Sequence, residues 1–566
     1  MRILRTLLAA TALVPLAMAK RAHAQDAGQI LRDVERNIPR SAPQAPPLPD
    51  LAPPAADGEF LKAGETVHVT GFHIIATLIP EAELRDQLTS YVGRDCTLGD
   101  LREAAARISR YYAQHDLLAR AVLPRQSLEG GVVTIQVLEA RMGRVLIDPS
   151  SDVRLDAGQA ADFIFAQNPQ GDPLRPSAVA TGVSNLGLIP GMQALGVLDA
   201  GAEEGTTDVH LKMREPPLLT ATALVDNNAP REIGGTRGLA IVTMTDAAGI
   251  GDQVAVTGQA SQSSKYGQML VGAPIWHEGL WLEASGAVLQ YDVPEDINAS
   301  TPAGDAQTAA LTLRWLALRS SAAPVNLAFG LEHKWTSDKL ADVVTASNRL
   351  GALTLAAHRL MRDDWQGGGA FTFDVQVKAG NVDLSRNAAN QAIDQATART
   401  QGHYVKASAS VSRAQALWRG GDMLATLAAQ VASKNLNSSE QFSLGGPTGV
   451  RAYPLNQGGG DQGAMLNLEV GQQVSTSVRF SAFWDGGWVE QHKETWGGWE
   501  GVGSPHDHYF LQGVGASVQW TPASNVQMKA TVAHRIGSDA GRTAQDLDLD
   551  GRRRELRAWM QVVLSV

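Results

Sequence analysis

Two charged residues in this chain stand where they could act on each other. Arg451 is the single charge in the run Phe442-Ser443-Leu444-Gly445-Gly446-Pro447-Thr448-Gly449-Val450-Arg451-Ala452-Tyr453-Pro454. Asp485 follows in Phe483-x-Asp485-x-Gly487. A guanidinium and a carboxylate shielded from bulk water form a charge-assisted, two-pronged pair that can pin a loop to a wall. Taken alone, the run reads as a surface loop with a stray charge. Gly445, Gly446 and Gly449 permit positive φ, and Pro447 and Pro454 stop sheet pairing.

Other candidate chemistry is weaker. Asp546-x-Asp548-x-Asp550-Gly551 begins like a calcium loop, but Arg557 stands where the twelfth-position Glu is required. His506-Asp507-His508 could hold a metal and reads more simply as a solvated loop. Cys96, the only cysteine, excludes an intramolecular disulfide and reads as a small buried residue. No G-x-S-x-G, H-E-x-x-H or P-loop occurs. The chain is therefore expected not to be an enzyme, and to use no metal or cofactor. A net charge of −10 without a Lys/Arg-rich tract argues against nucleic acid as a partner.

The elements that position the pair begin with an export signal at residues 1–24. Arg2 and Arg5 precede an apolar core from Leu7 to Ala19, and Ala22-His23-Ala24 is a small-x-small cleavage site, with Ala17-Met18-Ala19 as an alternative. Residues 25–38 read as an amphipathic helix with Ile30, Leu31, Val34 and Ile38 on one face. Residues 39–65 are a Pro-rich, semi-rigid linker. Residues 66–140 read β-α-α-β-β: a strand over 66–74, helices opening at Pro80 and Leu98, and a hairpin through Glu129-Gly130-Gly131. Residues 141–215 repeat that order, with helices near 156–166 and 175–185 and a hairpin of Met192–Leu198 and Thr207–Met213.

From residue 216 to 566 helical periodicity fades. Ala309, Leu311, Leu313, Trp315 and Ala317 oppose Thr312 and Arg314. Val526, Met528, Ala530 and Val532 oppose Gln527, Lys529 and Thr531. Apolar residues outward and polar ones inward, in segments of about ten, predict a membrane barrel of about sixteen antiparallel strands. No later apolar run reaches the roughly 20 residues of a membrane helix. Connections near 249, 277, 321, 364, 417, 475 and 521 are short. Those near 230, 299, 342, 390, 449, 498 and 545 are mostly long. Short periplasmic turns and long surface loops put both chain ends, and the repeated units, in the periplasm. Residues 442–454 then fall between the eleventh and twelfth strands. Arg479, Ser481, Phe483, Asp485 and Gly487 face the lumen from the strand after next. Gly487 leaves room for the loop tip there.

Val450-Arg451-Ala452-Tyr453 resembles the V-R-G-Y/F tip of the sixth loop in the outer-membrane secretion and assembly superfamily, and Phe483-x-Asp485-x-Gly487 resembles its F-x-D-x-G lumen motif. Phe442-x-Leu444-Gly445-Gly446 is similar to the lead-in of the TpsB transporters of two-partner secretion (ShlB/FhaC/HecB-like). The resemblance implies a plug helix at 25–38, two periplasmic POTRA domains and a sixteen-stranded outer-membrane barrel. It further implies assembly by the outer-membrane insertion machinery in outer-membrane lipid. Its partner would be a large secreted TpsA-like exoprotein of the adhesin or haemolysin type, captured unfolded and exported through the barrel once the plug leaves. A BamA/TamA-like assembly factor is the alternative, and a passive porin or surface adhesin a third reading. Two departures stand out: Ala452 replaces the usual Gly, and the chain ends in Val566 rather than an aromatic residue.

Overall fold

A computed structural model describes residues 26–38, 50–51, 65–128, 130–295, 298, 300–318, 324–501, 504–543 and 545–566. The export signal, most of the linker, and the turn near 321 lie outside these residues.

Helix α1 spans Ala27–Arg36, shorter than the expected 25–38. The Asp26 carboxylate caps it by accepting from the Gln29 N–H, and the Asn37 side-chain amide closes it by donating to Asp33 O at 2.7 Å. Ile38 therefore lies beyond the helix, yet it still packs against the same apolar cluster as Ile30, Leu31 and Val34. Ten residues are too few for a stable helix in water. Burial inside the barrel supplies what propensity does not.

The first α+β unit contains β2 (Thr66–His68), β3 (Gly71–Ile75), α2 (Glu81–Asp86), β4 (Asp95–Thr97), α3 (Leu98–Gln114), β5 (Ala119–Val122) and β6 (Val132–Glu139). Its main sheet runs β3-β6-β5, with β3 parallel and β5 antiparallel to β6. The strand expected over 66–74 is broken. Val69 N donates to Arg94 O and Thr70 N to Gly131 O, so neighbouring amides serve different segments and β2 pairs with β4 instead. Thr97 and Asp100 form a reciprocal capping box that starts α3.

The second unit holds β7 (Arg141–Ile147), α4 (Ala157–Phe165), α5 (Pro176–Leu186), β8 (Gln193–Ala200) and β9 (Thr206–Arg214). Within the linker, β1 (Asp50–Leu51) lies parallel to β8, giving the sheet order β1-β8-β9-β7. This unit is seated on the barrel. Arg154 donates to Pro216 O and Thr245 O, Asp156 N donates to Gly249 O, and the Asn185 side chain donates to His277 O. The Phe163 and His277 rings meet edge-to-face at 4.9 Å.

Sixteen antiparallel strands close the barrel, β10 (Leu219–Asp226) through β20 (Gly421–Ala432) and β23 (Gln462–Gln473) through β27 (Leu556–Ser565). Between the two sets lies the short pair β21 (Phe442–Ser443) and β22 (Gly459–Gly460). Two surface connections are tight. Gln262 and Ser263 alone join two strands, a link that alternation did not separate, and Ala341 and Asp342 make a two-residue turn with both residues left-handed. Exposed Trp276, Trp365, Trp418 and Trp520 line the periplasmic rim, as an interfacial aromatic girdle would. The terminal Val566 exchanges both backbone hydrogen bonds with Ala221 at 2.8 Å, so the last residue helps close the seam whatever its side chain.

Candidate functional site

The connection from β20 to β23 turns back into the lumen. Its base is the β21–β22 pair, and Val450 N reaches back to Leu444 O at 2.7 Å, so the tip is a compact knot. Of the three glycines that permit positive φ, Gly446 alone adopts it, at 108°. Gly449 is required for a different reason: a Cβ there would lie 1.9 Å from Leu444 O.

The knot presents Arg451 to β24 (Val478–Glu490). Nε and Nη2 of Arg451 donate to the two Asp485 carboxylate oxygens at 2.9 and 2.8 Å, and the Arg451 backbone N–H donates to the same carboxylate at 3.0 Å. Nη1 donates to Glu469 on β23 at 2.7 Å. The Phe483 ring lies 3.4 Å beneath the guanidinium carbon. Asn467 completes the cage by donating to Asp485 at 2.7 Å and to Gly449 O at 3.0 Å. Asp485 is fully buried and Arg451 nearly so, so the pair is desolvated and its geometry has to compensate. With four donors on one carboxylate, it does.

The remaining motif residues fill the space around this pair. Gly487 lies under the loop, since a Cβ there would come 2.4 Å from the Leu444 side chain. Val450 and Tyr453 are buried, and the Tyr453 ring faces the Arg535 guanidinium at 4.7 Å. Ala452 has ordinary φ, so nothing in its backbone demands glycine. Its methyl group points at Gly513 of β25 (His508–Ala523), where an added Cβ would lie 2.5 Å away. Gly513 supplies the room that Ala452 uses.

The helix α1 lies between this loop and the wall. Its apolar face packs on Tyr266, Leu289, Tyr291 and Ala306. Its polar face is bonded to the loop. Arg32 donates to Ser438 O and Asn456 Oδ1 at 2.6 and 2.9 Å, and Arg36 donates to Ser443 O and Gly445 O at 3.1 and 3.3 Å. Both faces are thus engaged, although the sequence marks only one as apolar.

A second charged cluster carries no sequence motif. Glu440, at the base of the loop, is surrounded by Lys334, Lys378 and Lys406 at 3.1, 3.2 and 2.9 Å, with Glu332 at 2.8 Å from Lys378. Charged side chains at inward positions of alternating strands were the available signal. Which of them converge depends on where the loop docks. The same holds for Glu469 and Asn467.

The acidic run is not a vacant cation site. Asp548 accepts from Arg535, Arg557 and Arg542 at 2.8, 3.0 and 3.2 Å, and Asp550 from Arg557 at 2.8 Å. Asp507 accepts from the backbone and ring of His492, while His508 points to solvent. Among the described residues no group of three potential ligands converges.

Comparison with known proteins accords with this architecture. The profile of the haemolysin secretion/activation protein family ShlB/FhaC/HecB matches residues 205–504, and that of the ShlB-type POTRA domain matches residues 65–140. The heme/hemopexin transporter protein HuxB of Haemophilus influenzae is 23% identical over 541 residues, covering 91% of this chain and 92% of the relative. The outer membrane transporter CdiB of Dickeya dadantii is 22% identical over 457 residues, covering 75% and 78%. The solved structure of CdiB from Escherichia coli superposes with a TM-score of 0.70 at 19% identity, over 91% of this chain and 93% of that one. CdiB from Acinetobacter baumannii gives 0.61 at 14% identity, over 95% and 96%. At these identities the structural likeness speaks for the fold.

Proposed function

This chain belongs to the haemolysin secretion/activation family ShlB/FhaC/HecB, outer-membrane transporters of two-partner secretion rather than enzymes, and from that premise we propose how it exports its partner. Its periplasmic α+β units capture a large, unfolded TpsA-like exoprotein of the adhesin or haemolysin type. The barrel, inserted by the outer-membrane assembly machinery into outer-membrane lipid, then passes that chain to the surface. Residues 66–140 and 141–215 act as the two POTRA domains, 1–24 as the removed signal, and 39–65 as a tether that lets α1 leave the lumen.

The observation that carries this reading is the manner in which the lumen is filled. Both occupants, α1 and the β20–β23 loop, are joined to the wall and to each other by side-chain contacts rather than by sheet pairing. Such contacts can be exchanged one by one without opening the barrel ladder. Arg451, on the knot formed by Gly445, Gly446, Val450, Ala452 and Tyr453, holds the loop on Phe483, Asp485 and Gly487. Capture uses strand addition at the edge of β8. That edge already accepts β1 in parallel register, so an incoming segment would replace it. Folding outside the cell makes return unfavourable and sets the direction.

Deleting residues 66–140 should abolish secretion of the exoprotein partner while leaving a heat-modifiable barrel in the membrane. Secretion at the normal rate would remove the capture role.

A further inference from the structure

The first and last strands meet at the weakest edge of the barrel. The β10–β27 register runs from Thr222↔Ser565 to Asp226↔Gln561, extended by the Ala221–Val566 pair and by Asn227 N donating to Met560 O, against Leu219↔Met244 to Asp226↔Arg237 for β10 and β11. At the extracellular end of that seam three guanidinium groups collect. Arg231 lies in the connection after β10 and donates to Asp550 O at 3.2 Å, which brings it against the segment leading into β27. A Cβ on Gly551 would lie 3.6 Å from Arg231 Nη1, so the next residue, Arg552, starts beside it. Arg552 and Arg554 are exposed, and among the described residues neither is paired with a carboxylate. Of the nearby acids, Asp546 is engaged with Arg553 and Arg542 and Asp550 with Arg557, while Glu232 and Glu555 neighbour Arg231 and Arg554 in the chain. Desolvation, then the like charges of Arg231 and Arg554, pull the Arg552 guanidinium below its usual value.

Like charges gathered at a fixed site, none of them in an ion pair among the described residues, favour an anion. Their position says which. Arg554 is exposed two residues before Leu556, which opens β27 and, with Met560, Val562 and Leu564, is exposed on the lipid-facing side. It therefore stands at the outer rim of the apolar belt, at headgroup level. Guanidinium groups bind phosphate through paired N–H donors, and basic clusters at the edge of a membrane domain select anionic headgroups. We propose that Arg231, Arg552 and Arg554 form a binding site for the phosphate groups of a glycolipid in the outer leaflet. One phosphate held from both sides of the seam would tie the β10 connection to the β27 lead-in where backbone pairing is shortest.

The test uses the full-length purified protein in detergent, with bisphosphorylated lipid A as the probe and native mass spectrometry as the readout. The variant Arg231→Gln/Arg552→Gln/Arg554→Gln should lose retention by roughly 100-fold, the scale expected for three charges at a lipid surface. Arg553→Gln, whose guanidinium is already paired, should retain the lipid as the unaltered protein does. Enzymatically dephosphorylated lipid A should bind no better to the unaltered protein than lipid A binds to the triple variant. Heat-modifiable migration of each variant verifies that the barrel has formed. Equal retention by the folded triple variant would overturn the proposal, as would undiminished binding of the dephosphorylated lipid. Displacement of the lipid by millimolar inorganic phosphate would assign the site to free phosphate and overturn the lipid reading.

Discussion

Replacing Arg451 by Ala tests whether the loop is held by its ion pair or by packing. The change removes three hydrogen bonds of 2.7–2.9 Å, two to Asp485 and one to Glu469. It leaves Asp485 fully buried with only the Asn467 amide and the backbone N–H of residue 451 as donors. Breaking a buried pair from one side costs about 3–5 kcal/mol, because the surviving charge stays desolvated. At about 1.4 kcal/mol per decade this shifts the docked loop toward its undocked state by roughly 10²- to 10³·⁵-fold. Amide hydrogen exchange reads that free energy locally. Protection of residues 442–454 should fall by two decades or more in Arg451→Ala, while β24 and β25 keep theirs. Asp485→Ala should produce a similar loss. The double variant should be better protected than the sum of the two losses predicts, with a coupling of about 2–3 kcal/mol, because it leaves no unpaired Asp485 charge. Insertion should be normal in every case and secretion reduced in the single variants. A loss of protection below about threefold in Arg451→Ala, or strict additivity in the double variant, would refute the ion-pair account and leave packing as the anchor.

Two further outcomes follow from the structure. Asp208, in the periplasmic second unit, is opposed by its burial, but the backbone and guanidinium of Arg144 donate to it at 2.7–3.1 Å and hold the carboxyl below its usual value. A depressed folded pKa stabilises above the unfolded value of about 3.9 and is lost as pH falls through the folded one. Asp208→Asn should therefore cost about 1–2 kcal/mol at pH 7 and progressively less as pH falls through the folded carboxyl's value, measured by exchange protection of β9. Gly513→Ala should overpack against Ala452, costing about 1–3 kcal/mol in loop protection. Adding Ala452→Gly should restore at least half of that loss, and failure of the rescue would mean that the two positions are not complementary.

Much of this molecule was legible because a membrane barrel imposes period-two alternation on each strand and short turns on one side. Alternation, connection length and motif spacing made legible a barrel of about sixteen strands, its sidedness, the two repeated α+β units, and an Arg451 able to reach Asp485 once the loop folds inward. Those features follow from local periodicity and motif spacing. The limits of the sequence were also local. Alternation merged the strands on either side of Gln262-Ser263, and helical spacing carried α1 past its cap to Ile38. Tertiary structure alone decided what surrounds the opening pair. Glu469 and Phe483 share the guanidinium of one loop residue, while Asn467 donates to its carboxylate partner and to the loop backbone. Three lysines from separate strands converge on Glu440, and Gly513 yields its space to the methyl group of Ala452. Each of these depends on where a long loop comes to rest across the barrel. The free energy of that placement lies in desolvated contacts between residues far apart in the chain, and no periodicity along the sequence records them.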